Sequence, residues 1–290
     1  MKPILVHVHI YYPELWNELK KCLENISPYS YDLFITLVKQ NDSLQKSIIE
    51  FNPNAKIYIL DNKGYDIGPF LEIINQLNLD NYSYIIKLHT KRNIKIGSTV
   101  NRYVMSENLW RNYLLSFIEN KKIFHKVMSF LETKKNVGMI SNYKLIMYKE
   151  KYDQEAYKNA KLYLKTLNLP IKNFCYIAGT MFIARASIFK EIQKLNISLH
   201  DFEYPDRTKK TSKAHTIERL IGWIVGAQDF YIVDCFTPKL IQFFEKFYHP
   251  FRRLILNLYR VKENQKGEIT VKVLGFTIKK YSCKNTNKIL

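Results

Sequence analysis

The first ninety residues alternate between short apolar runs and amphipathic stretches. The apolar runs, rich in β-branched and aromatic side chains, predict buried strands. Between them, apolar side chains recur at helical spacing, and Pro13 suits the first turn of a helix. The predicted strands cover residues 4–12, 31–38, 55–61 and 82–88. The predicted helices cover residues 13–24, 42–51 and 69–78.

Strands that alternate with helices in this way predict an α/β fold, a mostly parallel sheet with helices on both faces. Ligands of such sheets bind at the carboxyl ends of the strands, near the point where the strand order reverses. We therefore expect the chemistry of this chain to lie just after the first, third and fourth strands.

The middle of the chain is mostly helical by the same criteria, with fewer strands between the helices. The predicted helices cover residues 107–119, 121–134, 153–168, 186–195 and 214–226. The predicted strands cover residues 137–141 and 174–184, and residues 199–213 read as an irregular polar loop.

The last part of the chain has a different pattern. Residues 239–261 place aromatic and aliphatic side chains at helical spacing, with arginines and lysines beside them. Residues 268–280 predict a hairpin that turns near residues 274–275. We therefore expect a domain over residues 1–238 and a basic amphipathic tail over residues 239–290.

The formal net charge of +19 over 290 residues indicates an anionic partner. The tail alone holds 12 Lys/Arg against 3 Asp/Glu, a net charge of +9. No helix-turn-helix, zinc-finger or RNA-binding signature is present, and the 21 Tyr and 17 Phe fall largely within apolar elements, which argues against nucleic acid as the partner. The four cysteines show no metal-ligand spacing. No leader or long apolar run is evident, so we expect a cytoplasmic protein.

One candidate site segment, residues 62–68, directly follows the third predicted strand. Its glycines, Gly64 and Gly68, allow a close backbone approach or a positive φ, and Asn62 begins the segment. Tyr65 suits stacking on a ring, and Asp66 suits accepting hydrogen bonds from a ribose or a base. The alternative is an ordinary strand–turn–helix connection with Asp66 near the helix start.

A second candidate segment ends the fourth predicted strand. Lys87 lies within a strand that should be buried, where a lysine needs a partner such as a phosphate. His89, Thr90 and Lys91 follow and complete a site suited to a diphosphate. The alternative is a basic strand end at the surface. On the first strand, His9 is near the carboxyl end, where a nucleotide base would bind.

Five segments together, NKGYDIGPFL, KLHTKR, Trp110-Arg111, AGTMFIAR and AHTIERLIGWI, occur in an order and spacing that resemble the rhamnan synthesis protein F family of bacterial polysaccharide glycosyltransferases. The resemblance covers roughly residues 4–235. It implies an A-type glycosyltransferase fold, which is Rossmann-like. It also implies a nucleotide-sugar donor such as dTDP-rhamnose, and a growing cell-surface polysaccharide or lipid-linked oligosaccharide as acceptor.

The chain departs from many A-type glycosyltransferases at the strand that ends in residues 87–91. That strand commonly ends in an Asp-x-Asp motif that holds Mg²⁺ or Mn²⁺, and this sequence has no carboxylate there. We therefore expect no metal site. Lys91, His89 or Arg92 would instead neutralise the charge of the leaving diphosphate.

The resemblance also places the catalytic base. Glu218 occupies the region where A-type enzymes carry the group that deprotonates the acceptor hydroxyl, and His215 lies on the same helical face. Glu203 and Asp206 are rival bases. Arg219 is a candidate donor-binding residue, and the alternative is an ion pair between Arg219 and Glu218.

The sequence leaves two alternative roles for each of three further features. Gly179 and Thr180 interrupt an apolar strand, either for close approach to a sugar or for close helix packing. Arg111 either reaches a phosphate or pairs with an acid. The tail suits an anionic membrane surface, where a lipid-linked acceptor would be presented, and its alternative is packing on the catalytic domain. A catalytically inactive scaffold subunit is the second hypothesis for the whole chain.

Overall fold

The computed structural model describes residues 2–92, 98–100, 103–105, 109–148, 154–172, 174–206, 211–244, 259–263, 268–273 and 276–282. The chain divides into two compact units. The first comprises residues 1–92 and 111–236, and the second comprises residues 93–110 and 237–290. None of the described helices is both long enough and apolar enough to cross a membrane.

The first unit is a mixed α/β structure around a seven-stranded sheet. Its strands, in chain order, are β1 (Ile4–Ile10), β2 (Tyr31–Leu37), β3 (Lys56–Ile59) and β4 (Tyr84–His89), then β7 (Val137–Ile140), β10 (Phe182–Arg185) and β11 (Tyr231–Val233). Two short strands outside the sheet, β8 (Ile146–Met147) and β9 (Tyr176–Ile177), pair with each other. The strands β5 (Ser98–Val100) and β6 (Tyr103–Met105) pair in the second unit.

The strand order in the large sheet is β11-β7-β10-β4-β1-β2-β3. β1 lies between β2 and β4, pairs with both in parallel, and is buried along its whole length. The parallel α/β arrangement predicted from the sequence is therefore confirmed. β10 departs from it, because it runs antiparallel to both β4 and β7.

The helices follow the predicted alternation with the strands. They are α1 (Trp16–Leu23), α2 (Asp42–Phe51), α3 (Ile67–Asn75), α4 (Leu109–Leu115), α5 (Lys121–Thr133), α6 (Gln154–Thr166), α7 (Lys190–Gln193) and α8 (Lys213–Ala227). The side chains of Asn41 and Asn120 cap α2 and α5 by accepting a backbone N–H. α3 and α8 bury most of their side chains.

The predicted strand over residues 174–184 is wrong in one respect. The chain forms two strands, β9 and β10, separated by a turn at Gly179 and Thr180. Both turn residues have positive φ, 83° for Gly179 and 48° for Thr180. The sequence singled out Gly179 and Thr180 as an interruption of an apolar strand, but it did not indicate that the chain turns there.

The second unit contains a three-stranded antiparallel sheet of β12 (Tyr259–Glu263), β13 (Glu268–Val273) and β14 (Phe276–Ser282). The predicted hairpin over residues 268–280 is confirmed. The predicted helix over residues 239–261 is present at residues 239–244, but residues 259–261 belong to β12. Residues 245–258 of that prediction lie outside the described residues.

Gly222 allows α8 to pack closely on β9. A Cβ at this position would lie 2.3 Å from the Cys175 carbonyl oxygen and 2.4 Å from the Tyr176 Cα. Both are backbone atoms, which move little. We expect Gly222→Ala to destabilise the protein by about 2 kcal/mol in urea unfolding, despite the better helix propensity of alanine. Ser129→Ala, at an exposed position of α5, should change stability by less than about 0.5 kcal/mol. Equal stabilities of the two variants would contradict this packing.

Candidate functional site

Three adjacent parallel strands bring a set of polar side chains into the interior of the first unit. His7 and His9 of β1 are in register with Lys87 and His89 of β4. Thr36 of β2 is in register with His9, and its hydroxyl oxygen lies 3.1 Å from His7 Nε2 and 3.0 Å from His9 Nδ1. All five side chains are buried. The sequence did not single out Thr36, since its role appears only once β1 and β2 are paired in register.

Lys87 is fully buried, and its ammonium group makes three hydrogen bonds to other residues of the protein. It donates to the carboxylate of Asp66, to the Thr180 carbonyl oxygen at 3.2 Å and to the Thr180 hydroxyl at 3.0 Å. An ammonium group has three hydrogens, so these contacts use all of them. Burial lowers the pKa of Lys87, and the charge of Asp66 opposes that effect. Lys87 was predicted as a phosphate contact. The structure instead gives it an internal carboxylate partner.

Asp66 precedes α3 without capping it. Burial raises the pKa of Asp66, but the basic groups of His89 and Lys87, with hydrogen bonds from Lys87 and Thr180, outweigh this and hold it well below its usual range. These hydrogen bonds all reach Oδ2, and the described residues offer none to Oδ1. The side chain is 17% exposed, so one carboxylate oxygen remains available to a ligand.

His89 lies beside Asp66, with its Nδ1 3.4 Å from Asp66 Oδ2. Burial is the main reason that the pKa of His89 lies well below its ordinary value, and burial likewise lowers the pKa of His9 to about 4. Both rings are therefore neutral near pH 7. His89 was predicted as one of three groups that neutralise a diphosphate, and a neutral ring does not supply that charge.

The turn between β9 and β10 joins Asp66 to Glu218. The Thr180 hydroxyl donates to Asp66 Oδ2 at 2.5 Å, and the Gly179 N–H donates to Glu218 Oε1 at 2.9 Å. Two carboxylates from distant parts of the sequence therefore contact consecutive residues of one turn.

Glu218 lies in the second turn of α8, a helix capped by Ser212. Its Oε2 accepts a hydrogen bond from Arg219 Nη1 at 2.9 Å. Burial is the largest cause of a raised pKa at Glu218, opposed by Arg219 and the Gly179 N–H and reinforced by the charge of Asp66. A carboxylate whose pKa is raised toward neutrality is suited to accept a proton from a substrate. The ion pair with Arg219 foreseen as the alternative is present.

The other candidate bases lie in different settings. The ring of His215 is 6.0 Å from that of Tyr65, and its Nδ1 is 2.8 Å from the Ser212 hydroxyl oxygen. Glu203 is exposed and contributes its backbone oxygen, which accepts from the Gly64 N–H. Asp206 is half-buried next to residues 207–210, which lie outside the described part of the chain. Glu218 is joined to the Asp66–Lys87 pair through the turn at Gly179 and Thr180.

The glycines of residues 62–68 contact the protein itself. Gly64 has a φ of 67°, and a Cβ there would lie 2.6 Å from the Phe202 ring. A Cβ on Gly68 would lie 2.3 Å from the Lys63 carbonyl oxygen. The close approach predicted at these positions is therefore made by Phe202 and by the local backbone. Tyr65 also has a positive φ, 56°, and follows the half-exposed segment that begins at Asn62.

The segment after β4 is organised by Thr90. Its hydroxyl oxygen accepts hydrogen bonds from the backbone N–H groups of Tyr11 and Tyr12, each at 3.0 Å, so it fixes the chain that leaves β1. Lys91 is half-buried. Arg92 is exposed, pairs with Glu14 at 3.2 Å and lies 4.3 Å from the centre of the Tyr12 ring.

Arg111 resolves one of the sequence alternatives. Its Nε donates to Glu18 at 2.7 Å and its Nη1 donates to the Lys91 carbonyl oxygen at 3.3 Å. Arg111 therefore pairs with an acid and supports the backbone of Lys91. Among the residues that the structure describes, no group of three His, Cys, Asp or Glu side chains is arranged to hold a metal ion.

Comparison with known proteins finds a family model, curated relatives and a solved structure that are similar to this chain. The family model described as rhamnan synthesis protein F matches residues 1–230. The uncharacterized protein WxcX of Xanthomonas campestris pv. campestris strain B100 is 23% identical over 222 residues, which are 76% of this chain and 31% of that protein. WxcX of a second strain is 22% identical over the same length. This chain thus spans 31% of the length of these curated relatives.

A solved structure, that of S. aureus TarS 1-349, is similar to this chain with a TM-score of 0.36 and 11% sequence identity. The similarity covers 76% of this chain and 55% of that chain.

Proposed function

Because this chain belongs to the rhamnan synthesis protein F family, we propose that it is a glycosyltransferase of polysaccharide synthesis. It moves a sugar, rhamnose or a related hexose, from a nucleotide-sugar donor such as dTDP-rhamnose to a growing polysaccharide or lipid-linked oligosaccharide. One observation carries the proposal beyond the family. The half-buried carboxylate with a raised pKa, Glu218, is joined through one turn to Asp66 beside the carboxyl end of β4.

The proposed reaction inverts the anomeric centre in a single displacement. Glu218 takes the proton from the acceptor hydroxyl as the acceptor oxygen bonds to the anomeric carbon. The bond from that carbon to the diphosphate breaks at the same time, and the nucleoside diphosphate leaves with its electron pair. Asp66 Oδ1 accepts a hydrogen bond from the donor, the role that its exposed edge supports.

Lys91 and Arg92 are the proposed stabilisers of the leaving diphosphate. Fixed cations lower the cost of charge that develops on a leaving group. Lys87 is engaged with Asp66 and Thr180, and the ring of His89 is neutral, so these two do not serve. The half-buried Lys91 and the exposed Arg92 are the cations that remain from the predicted segment.

A thermal-shift screen tests the donor part of the proposal. The purified full chain is heated with dTDP-rhamnose, UDP-glucose, GDP-mannose and their nucleoside diphosphates. A bound donor at about 100 times its Kd stabilises the folded state by about 2.7 kcal/mol and raises Tm by several degrees. We expect one nucleotide family to give this shift. No shift with any nucleotide would favour the inactive scaffold.

Metal dependence gives a further prediction. Since the diphosphate is neutralised by Lys91 and Arg92, we expect EDTA to change turnover by less than about twofold, whereas a site built on Mg²⁺ would lose nearly all activity. Replacing either cation with methionine should lower turnover by about tenfold or more. Activity that EDTA abolishes and Mg²⁺ restores would contradict this part of the proposal.

The second unit is the proposed membrane contact. Its helical residues 239–244 expose Leu240 (66%) and Phe244 (61%), and β14 exposes Phe276 (76%) and Ile278 (67%), alternate residues on one face of the strand. The net charge of +9 over residues 239–290 complements an anionic lipid surface. Exposed aromatic and aliphatic side chains among basic residues are typical of interfacial binding.

Liposome flotation tests this contact. The full chain should float with vesicles that contain phosphatidylserine. Replacement of Leu240, Phe244, Phe276 and Ile278 by serine should weaken binding at least about tenfold, because each apolar side chain contributes about 1 kcal/mol or more when it enters the interface. The matched control is serine at Ile49 and Leu162, which are exposed in the first unit. Equal flotation of both variants would contradict the assignment.

A further inference from the structure

Two side chains that take no part in the proposed proton transfer lie between its carboxylates. The Lys87 ammonium contacts both the carbonyl oxygen and the hydroxyl of Thr180. That hydroxyl in turn donates to Asp66 Oδ2. The next residue back, Gly179, donates its N–H to Glu218. The buried ammonium is therefore two hydrogen bonds and one peptide unit away from the proposed base.

The turn that makes this connection is conformationally demanding. Thr180 has a φ of 48°, and a β-branched residue rarely adopts positive φ. Such a conformation costs about 1–3 kcal/mol and persists only where the surroundings hold it. The surroundings here are the three hydrogen bonds of Thr180 with Lys87 and Asp66, and Thr180 itself is buried.

We propose that Lys87 and Thr180 are positioning residues, which hold the left-handed turn at residues 179–180 so that the Gly179 N–H stays directed at Oε1 of Glu218. This inference rests on the proposed function, in which Glu218 is the base. It gives the buried lysine a role distinct from phosphate binding. It also explains why a threonine occupies a backbone conformation that favours glycine, since its hydroxyl accepts from Lys87 and donates to Asp66.

If the turn is held in this way, it helps to set the pKa of Glu218. The charged or titratable groups that act on it are Arg219 and His215 on α8, Asp66 before α3 and Lys87 on β4. The Gly179 N–H stabilises the ionised carboxylate, so a turn that relaxes removes that support and favours the protonated form. Loss of the Thr180 hydroxyl should therefore raise the pKa of Glu218.

The test follows Glu218 directly and needs no donor. The full chain is labelled with ¹³C at the glutamate carboxyl carbons, and the resonance absent from Glu218→Gln identifies Glu218. We expect Thr180→Val and Thr180→Ala to raise its titration midpoint by about one pH unit, and Thr180→Ser, which keeps the hydroxyl, to leave it within about 0.3 pH unit. A loss of overall stability alone would not move this midpoint.

Equal midpoints in wild type and in whichever hydroxyl-free variant folds would overturn the inference. Failure of both variants to fold, while Thr180→Ser folds with a shifted midpoint, would overturn it as well. These results leave the proposed function standing, because that depends on whether Glu218→Gln turns over a nucleotide sugar. Normal turnover of Glu218→Gln would remove the base and leave the midpoint result unaffected.

Discussion

Glu218→Gln should lower turnover of the nucleotide sugar by about 10²–10⁴-fold, the usual contribution of a general base. Glutamine keeps the size and the hydrogen-bond acceptor that faces the Gly179 N–H, but it takes no proton at this pH. Binding of the nucleoside diphosphate, measured by calorimetry, should change by less than about threefold, because the substitution removes an interaction needed in the transition state. The measurement is the rate at which nucleoside diphosphate is released when one nucleotide sugar is supplied as the donor.

Two matched variants separate Glu218 from its rivals. Glu203→Gln removes an exposed carboxylate whose backbone, and not its side chain, supports Gly64. Asp206→Asn removes the second rival. Both should keep turnover within about threefold of wild type. A large loss in either of them, with normal turnover in Glu218→Gln, would move the base to the segment before α8.

The pH profile gives the same residue a second signature. The base works only when it is ionised, so kcat/KM falls as the pH falls through the pKa of Glu218. Burial raises that pKa above the ordinary value of a glutamate. The acid limb of the profile should therefore lie at a higher pH than that of an exposed carboxylate, and Glu218→Gln should abolish the limb together with the activity.

Asp66→Asn should be the most destabilising single substitution in the site, by about 3–5 kcal/mol at neutral pH. It leaves the fully buried ammonium of Lys87 without the carboxylate that compensates it. Asp61→Asn is the control, because Asp61 is exposed and accepts a hydrogen bond from the exposed Tyr204. Its effect should stay below about 0.5 kcal/mol in urea unfolding.

The deficit of Asp66→Asn should shrink as the pH rises from about 7 to about 10. Without Asp66, burial lowers the pKa of Lys87 further in the folded state, while the unfolded lysine keeps its ordinary value near 10.4. The unfolded chain then binds more protons than the folded one over this range, so stability rises with pH relative to wild type. A deficit that is small or independent of pH would mean that Lys87 is not held as a buried cation.

The sequence predicted the sheet well because its strands are continuous apolar runs between amphipathic helices. It also singled out Asp66, Lys87, Thr180 and Glu218. It assigned Lys87 to a phosphate and did not foresee the contact of Lys87 with Asp66. The correct pairing requires the turn between β9 and β10 and the antiparallel direction of β10, and an apolar run specifies neither.

The glycines and the tail show two further limits of sequence interpretation. Gly64 accommodates Phe202, a residue far away along the chain. A glycine in the sequence does not reveal whether a ligand or another part of the protein lies against it. In the tail, aromatic and β-branched residues continued the helical spacing into residues that form β12. Periodicity in short segments does not separate the two structures when both suit the composition.

The central claim is that this chain transfers a sugar with Glu218 as its base. The most direct measurement is chromatographic detection of nucleoside diphosphate released from dTDP-rhamnose, UDP-glucose and GDP-mannose by the purified full chain, beside Glu218→Gln. We expect slow release from one donor by the wild type, and a loss of about 10²-fold or more in the variant. Release from none of the donors above the rate without protein, or equal release by both proteins, would contradict the claim.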